Sequence, residues 1–170
     1  MELIANLLKK ISKDNKIPTK MPIGAVDKIK QGILPIMNTS KLLLKNNELC
    51  HYVECAVLLT EKIVKRKVGT SSGFNFRICK GITYRVGRFN GVPIEEKIEE
   101  QTKGILYITN KRIVFIANDN SFDKNHRYLT AVEGFNNGIR LQYGNKKMVL
   151  LLADGTIAER VMLLLKQNLN

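Results

Sequence analysis

Lys65, Arg66 and Lys67, followed by Arg77, Lys80, Arg85 and Arg88, form the densest chemical signal in this 170-residue chain. From Glu61 to Arg88, eight basic residues stand against one acid, Glu61 itself. Guanidinium forks and ammonium groups at that density suit anions, and a flexible Gly69–Gly73 loop beside them would add free backbone N–H groups. Arg77 and Arg85 share the polar parity of successive strands, which places them on one outward face. The expected chemistry is capture of a phosphate or an anionic headgroup, with basic residues adding about 1 kcal/mol each at an anionic membrane. The same charges also suit a solvated sheet face that resists edge-to-edge pairing.

Other reactive residue types do not assemble into a catalytic pattern. Cys50, His51, Cys55 and Cys79 offer thiolate and imidazole, which suit zinc. Cys50 and His51, however, are neighbours on an expected strand and point to opposite faces, and no paired Cys-x-x-Cys knuckle is present. Small buried residues are expected here, with no metal and no cofactor. Ser71-Ser72 resembles neither a nucleophile elbow nor a phosphate loop. His126 falls in a polar stretch that reads as a turn. Glu95, Glu96, Glu99 and Glu100 read as a solvated acidic linker or an internal partner for the basic strands. We therefore expect a binding protein and not an enzyme.

The net charge of +13 points toward polyanions, either anionic membrane surfaces or nucleic acid. Nucleic-acid binding would call for exposed aromatics among the charges, whereas Phe74, Phe76 and Tyr84 share the inward parity. It is the alternative reading. No apolar run approaches the roughly 20 residues that span a bilayer, and the first residues lack the layout of a secretory signal. Three cysteines without framework spacing indicate free thiols in a reducing compartment. A cytoplasmic protein with peripheral contact at the inner face of the membrane is the expectation.

The elements that must position these groups are mostly strands. Gly104–Ala117 holds two nearly continuous apolar runs, Ile105–Ile108 and Ile113–Ala117, around Thr109-Asn110-Lys111-Arg112. That pattern suits a central hairpin covered on both faces. Asn tolerates positive φ, so Asn110-Lys111 is expected to form the tight turn. Upstream, His51–Val64, Phe74–Cys79 and Ile82–Val86 read as strands, with Val68–Gly73 a loop and Pro93–Lys103 an acidic connection. Downstream, Tyr128–Phe135 and Ile139–Tyr143 flank the turn signal Asn136-Asn137-Gly138, and Lys147–Leu152 adds a last strand. Thr156 is the expected cap of a closing helix with Glu159 reaching back. Its stripe of Ile157, Val161, Leu164 and Leu165 would stabilise by about 1.5–3 kcal/mol per side chain on burial. At the other end, Glu2–Ile11 has helical spacing and Ala25–Gln31 a short helix that Gly32 ends.

The string Gly104-x-Leu-Tyr-Ile-Thr-Asn-Lys-Arg-Ile-Val-Phe115 resembles the signature hairpin of GRAM and bacterial pleckstrin-homology-like domains. Glu48-x-x-His51-Tyr52, Lys80-Gly81-x-x-Tyr84-Arg85-x-Gly87 and Gly138-Ile139-Arg140 are similar to an uncharacterised bacterial subgroup. The resemblance runs from about Leu42 to the C-terminus. It implies a mainly β fold with α: two bent antiparallel sheets forming a partly open barrel, capped by a C-terminal amphipathic helix. A helical arm and linker over residues 1–32 would precede the domain at 33–170. The resemblance also implies a non-enzymatic adaptor that binds an anionic lipid surface or a protein partner. Two departures stand out: Arg77 and Lys80 lack the Arg-x-Arg spacing of inositol-phosphate binders, and the terminal helix has no Trp. The N-terminal segment is short for a membrane-lying helix. Docking on its own domain, or on a second copy in a homo-oligomer, is the favoured expectation.

Overall fold

The structure, a computed structural model, describes residues 17–79 and 82–168, with side chains described for these except at 62–64 and 66–97. The expected helix over residues 2–11 lies outside the described residues. The chain divides into two compact units, Met1–Thr60 with Gln101–Asn170, and Glu61–Glu100.

Among the described residues, seven strands and two helices appear in the order α1 (Ile23–Lys30), β1 (Cys50–Cys79), β2 (Ile82–Thr109), β3 (Arg112–Ala117), β4 (Phe122–Asn125), β5 (Ala131–Phe135), β6 (Gly138–Tyr143), β7 (Lys146–Leu151) and α2 (Gly155–Gln167). A short 3₁₀ turn, His126–Tyr128, precedes β5. The strands form one antiparallel sheet ordered β4-β3-β2-β1-β7-β6-β5, open at its β4 and β5 ends. The β-dominated class and the closing helix are as expected, but the strand boundaries differ.

Val68–Gly73, expected to loop, continues β1, and Pro93–Lys103 continues β2. Each expected pair of short strands is thus one strand, 30 residues for β1 and 28 for β2. Pairing to a neighbouring strand satisfies the backbone of Gly-, Ser- and Pro-containing stretches whose own propensity favours a break. The unit Glu61–Glu100 consists of these distal strand portions and their connection.

The central hairpin is covered on both faces, as its apolar runs predict. Gly104 pairs with Ala117 and Ile108 with Ile113. Leu106, Ile108, Ile113 and Phe115 enter the main core. Tyr107 and Val114, of opposite parity, join Leu42 and Cys50 in a second cluster on the other face. Two helices cover the main core. From α1 come Ala25 and Ile29, four residues apart and therefore on one face. Gly32 follows at φ +86°, a left-handed conformation that glycine adopts without strain. From α2 come Ile157, Val161, Leu164 and Leu165, the expected stripe, together with Ala158 and Met162.

The cap of α2 is Asp154, not Thr156. Its carboxylate accepts from the Thr156 N–H at 2.9 Å and from the Thr156 hydroxyl at 2.6 Å. Aspartate serves as well as threonine at this position, and its charge also favours the positive end of the helix dipole. The helix start sits hard against the β5–β6 hairpin: a Cβ on Gly155 would overlap the Gly138 carbonyl and lie 2.8 Å from the Phe135 carbonyl oxygen.

Candidate functional site

The segment between α1 and β1 is irregular, and it forms the described site. Two tethers hold it on the second face of the sheet. The Met37 N–H donates to the Cys50 carbonyl at 2.8 Å, and Leu42 is buried with Cys50, Tyr107 and Val114. The Thr39 hydroxyl donates to the Leu42 carbonyl at 3.1 Å, closing the turn between them. A cavity of about 280 Å³ lies here, lined by Lys20, Met37, Asn38, Thr39, Ser40, Lys41, Val53, Ile105 and Tyr107. Its apolar lining residues are Met37, Val53 and Ile105, its polar ones Lys20, Asn38, Thr39, Ser40 and Lys41, and Tyr107 brings both a ring and a phenol.

Among the described residues no acid lines the cavity. An anionic group bearing an apolar portion fits this lining: the lysines and hydroxyls match its charge, and the strand side chains match its hydrocarbon. Burial pushes the Tyr107 phenol up, with Cys50 and Cys55 adding to the effect, so it remains a hydrogen-bond donor.

A buried clamp fixes the far end of the same segment. Arg112 forks onto Glu48, Nε to Oε1 at 2.8 Å and Nη2 to Oε2 at 3.2 Å, and Nη2 also donates to the Leu43 carbonyl at 2.9 Å. Its Nη1 pairs with Asp123 of β4. Glu48 further accepts from the Thr109 hydroxyl and the Lys45 N–H, each at 2.7 Å. Burial raises the Glu48 pKa, but hydrogen bonds from Arg112, Lys45 and Thr109, and the guanidinium charge, outweigh it and hold the carboxyl at about 2.

The tight turn Asn110-Lys111 exists, but not for the expected reason. Asn110 is not among the residues at positive φ. Its side chain instead accepts from the Leu49 N–H at 3.0 Å and donates to the Asn47 carbonyl at 3.1 Å. The Thr109 hydroxyl accepts from the N–H groups of Lys111 and Arg112, at 3.1 and 3.0 Å. His126, in the turn expected of it, binds the Thr109 carbonyl through Nε2 at 2.6 Å. His51 meets the Pro35 carbonyl through Nδ1 at 2.8 Å. These polar residues are the fastening of the fold, and the groove is the chemistry left over.

Of the basic residues singled out in the sequence, Lys65 is exposed on β1. Arg66, Lys67, Arg77, Arg85 and Arg88 belong to β1 and β2, but their side chains lie outside the described residues, and Lys80 lies wholly outside them. The Gly69–Gly73 stretch beside them is strand, so the expected anion-cradling loop is replaced by backbone within β1. Lys20 and Lys41 escaped sequence reasoning. The one signal was a polar run without acids, Asn38 to Lys41, set between Met37 and Leu42. Among the described residues no group of three or more His, Cys, Asp or Glu could hold a metal ion, and no helix is long and apolar enough to cross a membrane.

No family model, no curated protein and no solved structure matches the chain.

Proposed function

We propose that this chain is a non-enzymatic, pleckstrin-homology-like adaptor that binds an anionic membrane surface through the groove beside β1 and β2. The strand order supports the fold part of this reading. A meander of β1 to β4 and a second of β5 to β7 meet where β1 pairs with β7, and α2 follows. Two meanders joined at a single seam are compatible with the two bent sheets of that superfold, and α2 supplies a terminal helix for the capping role. Fold alone does not carry function.

The observation that carries the functional part is the groove, lined by no acid among the described residues, in which Lys20 and Lys41 stand beside an apolar lining. A headgroup presents both halves of that chemistry at once. The net charge of +13 draws the chain toward the same kind of surface. A protein partner with an acidic side chain is the competing occupant, and a peptide would not require a bilayer.

Co-sedimentation with vesicles tests the reading. Binding to anionic phospholipid vesicles and not to neutral ones is expected, with affinity falling as salt screens the lysines. Replacing either Lys20 or Lys41 with Gln is expected to weaken binding roughly fivefold, the equivalent of about 1 kcal/mol. Equal sedimentation with both lipids, or with neither at low salt, rules out the membrane reading.

A further inference from the structure

We infer that Leu43, with its chain neighbour Leu44, inserts into the acyl boundary of an anionic bilayer while Lys41 and Lys45 sit at its phosphates. This rests on the membrane reading above and names how the surface is held. Leu43 is 89% exposed, Ile36 68% and Leu44 40%, and they bracket the stretch that lines the groove. Two adjacent large apolar side chains, Leu43 and Leu44, offered to solvent just past the lining stretch that ends at Lys41 suit a contact surface.

Their exposure is imposed by the frame. The Leu43 carbonyl is held by Arg112 at 2.9 Å and the Lys45 N–H by Glu48 at 2.7 Å. Leu42, one residue earlier, is buried against the sheet. The backbone is thus pinned on both sides of Leu43, and the outward side chain is not the product of a frayed end. Between Gly32 and Asn47 the chain has two lysines and no acid. Charge complementarity therefore selects an anionic bilayer as the occupant, with leucine below the headgroups and lysine stems reaching up to them.

The chain contains no tryptophan, so Leu43→Trp places a single reporter at the proposed point of entry. Its emission is expected to shift to the blue with anionic vesicles, and to stay unchanged with neutral vesicles or with soluble glycerol phosphate. Leu43→Ser is expected to weaken binding to anionic vesicles roughly tenfold and to leave thermal unfolding unchanged. A wild-type chain that ignores anionic vesicles removes the membrane reading, and this inference with it. Sedimentation of the wild type with an unshifted spectrum from the Leu43→Trp variant, or with full binding by the serine variant, overturns the insertion alone. A wild-type oligomer that Leu43→Ser dissociates would assign Leu43 to a contact between copies and overturn it as well.

Discussion

Arg112 reaches across 64 positions of sequence to hold Glu48 with two nitrogens, at 2.8 and 3.2 Å, and both side chains are nearly closed to solvent. This ion pair joins the turn of the central hairpin to the segment that carries the groove. Asp123, on the remaining guanidinium nitrogen, is about half exposed and offsets less of the burial.

Removing one partner leaves the other charged and buried, which costs about 3–5 kcal/mol. Arg112→Met is expected to lower unfolding free energy by that order in urea titration. Adding Glu48→Gln to the same chain is expected to restore most of the loss. An Arg112→Met protein as stable as the wild type would show that solvent already reaches the pair.

Acid sensitivity follows from the same carboxyl. Its pKa falls from an ordinary 4.5 to about 2 on folding, so the folded form binds the proton less tightly than the unfolded one. The stabilisation is complete above pH 4.5 and is lost as pH falls toward 2. His126 adds an earlier decline: burial lowers its pKa below 6.5, against the opposing hydrogen bond to Thr109, so stability drops as the unfolded chain gains that proton. Urea midpoints followed from neutral to acid pH are expected to show both limbs. Glu48→Gln should flatten the lower one and His126→Gln the upper.

Gly155→Ala tests the close approach at the start of α2. The added methyl meets the backbone carbonyls of Gly138 and Phe135, which have no flexible end to yield. A loss of about 1–3 kcal/mol is expected, in the range of overpacked sites. An unchanged melting temperature would mean that α2 can slide from the hairpin without penalty.

Cys50 should be chemically quiet. Burial, with the Glu48 charge adding, pushes its thiol up to about 11, and opposing backbone hydrogen bonds at Tyr52 and Ile108 offset only part of the rise. Its alkylation by iodoacetamide is expected to run roughly a hundredfold slower than that of an ordinary thiol, because the thiolate is the nucleophile. The half-buried Cys55 serves as an internal comparison in peptide mapping. Equal labelling of the two in the native protein would place Cys50 in contact with solvent.

The central hairpin was legible because both of its parities are apolar: Leu106 and Ile108 face one core and Tyr107 the other. The α2 stripe was legible for the same reason, through its spacing. Asn110 marked the right turn, but its side chain, and not its backbone angle, does the work. β4 left no sign, since Phe122–Asn125 has one apolar residue; pairing with β3 and the stacking of Phe122 on Phe115, centroids 5.6 Å apart, make it a strand. The length of β1 and β2 was hidden by Gly, Ser and Pro, whose local preferences pairing overrides. Lys20 and Lys41 were invisible as a pair because only the folded chain brings them to one cavity.

The pairing of Val57 with Leu151 has a kinetic consequence. One side of β1 finds its partner only after roughly ninety intervening residues have been made, and the search entropy of so long a closure slows folding. On the ribosome, the nascent β1 keeps a bare ladder of N–H and C=O groups until the last strand emerges. Its birth, more than its mature state, is the moment at which this protein risks aggregation.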